Sequence, residues 1–253
     1  MNLRFFDANV SIGRPMNKAM YEPLADVKAL LAHMKKTGVG KALVWHVAQH
    51  DGSPCEGNSM LANAIRGQRS LYGCWALLPP NVDDVITPDF FRRMQKSRIV
   101  ALRVFPDMHR YLLNRVVFGR FLDEVTARRI PLLLSMEFAV TWPAVYALLK
   151  DYPSLTCIIA DLGAWSVDRY TYPLLETYPG VHIESSFLAC TDGGVERMVE
   201  KFGAGRIVFG TAMPRRYTES AMLQLVHAEI SDTDKALIAS GNLERLVAGV
   251  ELS

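Results

Sequence analysis

Two carboxylates, Asp161 and Glu184, each end a short apolar run, the placement that acid/base chemistry at the end of a strand requires. Asp161 closes Cys157-Ile158-Ile159-Ala160-Asp161, and Glu184 shares a face with His182 and Ser186 in His182-Ile183-Glu184-Ser185-Ser186. Facing carboxylates push their pKa values apart, which makes one an acid and the other a base. Each has a plainer reading beside this one: Asp161 as the cap of its own Asp-Leu-Gly turn, Glu184 as the ion-pair partner of Arg103. Glu137 reads as a third, loop-borne carboxylate. His46 and His50 flank Val47-Ala48-Gln49, where an imidazole serves as a proton carrier or as an ordinary hydrogen-bonded side chain; His46 joins the catalytic candidates. Arg103, within Ala101-Leu102-Arg103-Val104-Phe105, must meet an anion, either a substrate carboxylate or an internal Asp or Glu. Arg215 and Arg216 follow Pro214 and extend that cationic group. Trp142 and Trp165 either wall a pocket for a planar ligand or pack loops against each other.

These residues fall at the ends of apolar runs that recur along the whole chain. The runs are Leu3 to Val10, Lys41 to Val47, Leu71 to Leu78, Ile99 to Phe105, Pro131 to Ser135, Leu155 to Ala160, Val181 to Glu184 and Arg206 to Phe209. Helix patterns lie between them. Leu24, Val27, Leu31 and Met34 recur near a 3.6-residue spacing after Pro23, with Lys35 and Lys36 in the last turn and Gly38 as a stop. Phe118, Phe121, Leu122 and Val125 form a second stripe, and Ser231 or Asp232 caps the last helix. Strands that are apolar throughout and alternate with helices imply a parallel sheet covered on its outer face. Eight such units in 253 residues, with no linker-like stretch, predict an α/β fold, one (β/α)8 TIM barrel over residues 1–253. Its chemistry then belongs at the carboxyl ends of the strands.

Composition narrows the partners. Lys plus Arg number 28 against 26 Asp plus Glu, too even a balance to steer the chain toward nucleic acid or an anionic membrane. The expected partner is a small, anionic substrate molecule; a homo-oligomer is compatible with the sequence. Cys55, Cys74, Cys157 and Cys190 show no C-x-x-C spacing, the usage of small apolar fillers in a reducing compartment. No secretory pattern is read at Met1 to Asp7, and no apolar run approaches the roughly 18 residues of a membrane span, so a cytoplasmic location is expected.

Arg206-Ile207-Val208-Phe209-Gly210-Thr211-Ala212-Met213-Pro214 resembles the last-strand motif of the amidohydrolase superfamily, in the branch that includes aminocarboxymuconate-semialdehyde decarboxylase. In that motif Gly-Ser/Thr is followed by an Asp that binds metal and handles protons; Ala212 stands there. The resemblance extends over Glu56 to Ile65, Leu71 to Pro80, and the closing Gly241-Asn242-Leu243-Glu244-Arg245-Leu246, nearly the whole chain in the expected order. It implies a metal-dependent-hydrolase fold. It also implies that Asn9 and Ser11 occupy the positions of the paired strand-one histidines, Ser135 that of the strand-five histidine, and Asp161 that of the strand-six histidine. Period-2 alternation places Asp7, Asn9 and Ser11 on one face. All five ligand positions are thus substituted, and no lysine ends strand four or five to serve as a carbamylated bridge.

Without a metal, the usual means of activating water is missing, and a protein base must replace it. The expectation is a hydrolase of lactonase type, or a decarboxylase, acting on a small carboxylated substrate with no metal and no other cofactor. Asp161, Glu184 and His46 are its catalytic candidates, and Arg103, Asn9, Ser11, Ser135, Trp165 and Arg215 its substrate-binding ones. Lactone opening is the most accessible reaction, because an ester-like carbonyl needs less electrophilic help than an amide. The alternative is a non-catalytic pseudoenzyme that binds a small molecule or a partner subunit in the same mouth. A third arrangement would gather His46, His50, Asp161 and Glu184 around a new metal.

Overall fold

A computed structural model describes residues 3–17, 19–82, 84–138, 140–163, 168–190 and 193–253. Eight parallel strands pair in chain order: β1 (Phe5–Ile12), β2 (Val39–His46), β3 (Leu71–Ala76), β4 (Ile99–Arg103), β5 (Leu132–Ser135), β6 (Cys157–Ala160), β7 (Val181–Glu184) and β8 (Ile207–Val208). The ring closes where Ala8 N–H donates to Phe209 O and Ser11 N–H to Met213 O, both at 2.9 Å. This is the (β/α)8 barrel. Around it run α1 (Val27–Thr37), α2 (Ala48–Asp51), α3 (Pro54–Ala64), α4 (Phe90–Lys96), α5 (Arg115–Ala127), α6 (Trp142–Asp151), α7 (Asp168–Thr177), α8 (Gly194–Phe202), α9 (Thr218–His227), α10 (Asp232–Ala236) and α11 (Asn242–Ala248). No helix among the described residues is long and apolar enough to cross a membrane.

Local chemistry sets the helix ends. The Asp26 carboxylate accepts from Ala29 N–H at 2.8 Å, so α1 starts at Val27 and not near Pro23, while Gly38 ends it with φ of 81°. Leu24, counted in the helical stripe from spacing, is buried ahead of the helix. The Ser231 hydroxyl, not Asp232, caps α10 by accepting from Asp234 N–H at 3.1 Å.

Alternation along each strand separates two cores. Leu43, Cys74, Ala101, Leu133, Ile158 and Val208 fill the interior of the barrel, while the residues between them pack outward beneath the helices. One period closer to the carboxyl ends, the same alternation brings inward Trp45 on β2, Arg103 on β4, Ser135 on β5 and Glu184 on β7. The interior therefore turns polar at one level, the level of the mouth. β1 departs from strict alternation: its pairing with β2 shifts between Asp7 and Val10, three residues of β1 against two of β2. Asp7, Asn9 and Ser11 are thus not a simple period-2 face.

The amino-terminal end of the barrel is sealed by the Gly241-Asn242 motif. Asn242, at the start of α11, donates from its amide nitrogen to the carbonyls of Ala204 and Ile207, each at 2.8 Å. A wide π turn over Leu237–Gly241 precedes it and offers Ile238 O to Phe209 N–H at 3.0 Å. Asn242→Ala removes the amide from two carbonyls at a buried position, and a loss of about 2 to 3 kcal/mol is expected in chemical denaturation. An unchanged midpoint would show that water takes over both carbonyls.

Candidate active site

Arg103 and Asp161 stand at the centre of the mouth. The Arg103 side chain is 0% exposed, and its Nη2 lies 3.6 Å from Asp161 Oδ2. Burial lowers the pKa of Arg103 to about 10, against the opposing pull of Asp161, which leaves the guanidinium charged at neutral pH. Its face lies on the Trp45 ring at 4.5 Å, and its Nη1 donates to Asn9 Oδ1 at 3.2 Å. Nε and Nη2, which form one edge of the guanidinium, have no hydrogen-bond partner among the described residues.

Asp161 reaches this position through its backbone. Alternation along β6 points Ile158 and Ala160 inward and would turn Asp161 outward, but Asp161 adopts φ of 56°, the left-handed region that non-glycine residues seldom use. The turn brings its carboxylate into a set of donors: Ser135 Oγ, Asn9 Nδ2 at 3.1 Å and Arg215 Nη2 at 2.8 Å. The carboxylate is anchored from three strand ends and, among the described residues, takes no bond from its own Asp-Leu-Gly turn. Ala212, after β8, shares the left-handed conformation at φ of 55° and contributes only a buried methyl.

Glu184 is the second carboxylate, and no ion pair between it and a guanidinium is formed among the described residues. Ser186 donates to it twice, from N–H to Oε1 and from Oγ to Oε2, both at 2.7 Å. Asn9 Nδ2, the nitrogen that serves Asp161, lies 3.4 Å from Glu184 Oε2. Complete burial, and then the neighbouring Asp161 charge, raise the Glu184 pKa from 4.5 to about 7. The bonds from Ser186 hold it back from rising further. Gly210 makes room for this side chain, since a Cβ there would overlap Glu184 Oε1 and Cδ. Arg103 therefore takes Asp161, not Glu184, as its internal anion.

Two further layers frame the pair. Asp7 accepts from Thr211 Oγ1, from Thr211 N–H at 3.1 Å and from Asn9 N–H at 3.0 Å, tying the exit of β8 to β1 beneath Asn9. Burial raises Asp7 to about 6 despite these bonds. Toward solvent, Arg215 has an 8% exposed side chain and lies over Phe138 at 4.8 Å. Its Nη1 comes within 3.5 Å of Glu137, which also pairs with Arg216 at 3.6 Å and is 40% exposed. Glu137, the weakest sequence candidate, thus marks the outer side of the mouth.

The remaining candidates lie elsewhere or take other partners. The His46 Nδ1 accepts from Ala48 N–H at 3.1 Å and the ring edge lies against Gly13, so His46 belongs to its own loop and makes no described contact with Asp161 or Glu184. His50 bonds to Asp51, and among the described residues no group of three or more His, Cys, Asp or Glu is placed to hold a metal. The arrangement of His46, His50, Asp161 and Glu184 around one ion is not formed. His182 lies one period deeper than Glu184, beside Gly180 O at 3.1 Å, with burial lowering its pKa to about 4. Ser11 is buried. Trp142 stacks on Tyr170 at 4.9 Å between α6 and α7 and does not wall the mouth, and Trp165 lies outside the described residues. Sequence reasoning passed over Thr211, and it treated Ser186 and Asp7 only as residues sharing a face with others. Their signal was a polar residue two positions after a carboxylate, or facing one across neighbouring strands, which gains meaning only once the strands are in register.

Asp161→Asn leaves two buried guanidiniums with one neutral amide between them. A loss of about 3 to 5 kcal/mol is expected in denaturant melts, with part of it recovered in Arg103→Met/Asp161→Asn. A single variant as stable as the parent would show that Asp161 is not the counter-ion.

The amidohydrolase family model (Amidohydro_2) matches residues 11–248. No curated protein sequence matches. Among solved structures, the chain is similar to a 5-carboxyvanillate decarboxylase from Sphingomonas paucimobilis, at 14% identity and a TM-score of 0.75 over 99% of this chain and 100% of that one. It is similar to a probable 2-pyrone-4,6-dicarboxylic acid hydrolase from Acinetobacter baumannii with citric acid bound, at 15% identity and a TM-score of 0.74 over 97% and 100%. It is also similar to a dihydroxybenzoic acid decarboxylase from Polaromonas sp. JS666 with bound manganese and the inhibitor 2-nitroresorcinol, at 16% identity and a TM-score of 0.76 over 98% and 97%. At these identities the likeness is one of fold, and the match over residues 11–248 carries the assignment: the chain belongs to the amidohydrolase family.

Proposed function

We propose that this protein is an amidohydrolase-type hydrolase that opens a small carboxylated lactone without a metal ion, with Glu184 as general base. The observation that carries the reading is the raised pKa of Glu184, about 7, in a fixed position at the mouth. A base poised near the operating pH combines availability with proton-accepting power. Asp161, with its oxygens committed to Ser135, Asn9 and Arg215, is a counter-ion that holds charges in place and not the base. Asn9 and Ser135 position the two carboxylates. His46 has no part in the reaction.

The donor set at the family's ligand positions does not fit a divalent ion. Its one carboxylate, Asp161, is already neutralised by two guanidiniums, Ala212 offers a methyl, and a metal beside Asp161 would sit against the buried charge of Arg103. Nε and Nη2 of Arg103, which make no hydrogen bond among the described residues although Nη2 faces Asp161 at 3.6 Å, instead suit the two oxygens of a planar carboxylate, with Arg215 on the solvent side. The fold relatives named above act, by their names, on carboxylated aromatic and pyrone compounds, which supports the same substrate class here. With the carboxylate held there, Glu184 takes a proton from water as the water oxygen attacks the lactone carbonyl.

The kcat/KM for such lactones is expected to rise with pH through about 7, as the ionised form of Glu184 accumulates. Glu184→Gln is expected to lower it by about 100-fold or more and to remove that limb. Initial rates on lactones with and without a carboxylate, measured across pH, test this. A profile that falls through the same range with release of carbon dioxide would assign the protonated acid and decarboxylation. Ligand binding without turnover of any panel member would make the chain a binding protein.

A further inference from the structure

His50 and Asp51 form a second proton-handling unit that the mechanism above leaves unused. The His50 Nδ1 lies 2.6 Å from Asp51 Oδ1, and Asp51 Oδ2 accepts from Met16 N–H at 2.9 Å. A carboxylate fixed by a backbone donor and facing Nδ1 dictates a proton on Nδ1, which leaves Nε2 as the working nitrogen. Neither side chain is sealed off: they are 24% and 21% exposed. The imidazole packs against Phe105 at 5.1 Å and Phe138 at 4.8 Å. The Arg103 guanidinium lies beside the same two rings, at 5.7 and 5.6 Å, and Arg215 is over Phe138. The two rings pack edge-on at 5.6 Å, and both His50 and the Arg103 guanidinium lie against the pair. His109 is edge-on to Phe105 at 5.9 Å.

We propose that His50, oriented by Asp51, is the general acid of this site, the residue that protonates the departing oxygen when the lactone ring opens. The inference rests on the lactonase reading. Glu184 accepts the water proton as the new carbon–oxygen bond forms. On collapse of the tetrahedral intermediate the ring carbon–oxygen bond breaks, and its electron pair goes to the ring oxygen, which takes the proton from His50 Nε2. His50 is left neutral with Nδ1–H on Asp51. The Glu184 proton leaves to solvent and His50 regains one, so the sum is lactone plus water giving the hydroxy acid. At that stage Glu184 carries the water proton and the Arg103 guanidinium is held by Asp161, whereas His50, 24% exposed, regains its proton from solvent.

The test compares a carboxylated aliphatic lactone, whose alkoxide is a poor leaving group, with a carboxylated aryl lactone, whose phenolate needs little help. In His50→Gln, kcat/KM is expected to fall about 100-fold or more on the aliphatic lactone and no more than about fivefold on the aryl one. Asp51→Asn should follow the same pattern with smaller losses. Equal losses on both lactones, or no loss on the aliphatic one, would overturn the role while leaving the lactonase reading intact. Failure of the wild type to open either lactone defeats that reading and this inference with it. Nitrogen NMR of the His50 ring needs no substrate: a proton on Nδ1 is expected, and a ring whose Nδ1 carries none would overturn the proposal.

Discussion

A guanidinium buried in the barrel cannot remain charged there without an anion, and the mouth of this protein is built around that requirement. Removing Arg103 from water costs several kcal/mol, which only a close, well-oriented carboxylate offsets. Asp161 supplies it, and the arrangement spreads outward from there: Ser135, Asn9 and Arg215 saturate Asp161, and Asn9 in turn places Glu184 beside it. The charge on Asp161 is one of the reasons Glu184 resists ionisation. Asp161 and Glu184 thus have different characters because Asp161 pairs directly with the cations and, among the described residues, Glu184 does not.

The barrel supplies the geometry through alternation and through two local departures from it. Period-2 spacing lifts Arg103, Ser135 and Glu184 to one level from Ala101, Leu133 and His182 beneath them. The shift in β1 pairing brings Asn9 within reach of Asp161, Glu184 and Arg103 together. The left-handed turn at Asp161 carries its carboxylate inward where alternation alone would turn it away. Both departures involve residues at positions where the family resemblance places metal ligands. The Arg103 guanidinium lies among those positions, against Asn9 and Asp161.

Much of this was legible in the sequence. Eight apolar runs mark the barrel strands with every end within two residues, because burial on both faces leaves an unambiguous composition. The polar residues at the mouth were found from the carboxyl ends of those runs, with Asp161, Glu184, Arg103, Asn9, Ser135 and Arg215 converging on one network. Their pairing was not legible. Arg103 with Asp161, and not with Glu184, depends on a backbone conformation at residue 161 that no local pattern announces. His46 drew attention by its place at the end of β2, whereas His50 owes its orientation to Asp51 and to two phenylalanines from other strand ends.

The central claim is that the Arg103 guanidinium holds the place of a cation, so that a divalent ion has nowhere to bind. Titration of the purified, chelator-treated protein with manganese, followed by electron paramagnetic resonance, addresses it without any substrate. The account predicts free manganese throughout the micromolar range. Stoichiometric binding that disappears in Asp161→Asn would contradict it.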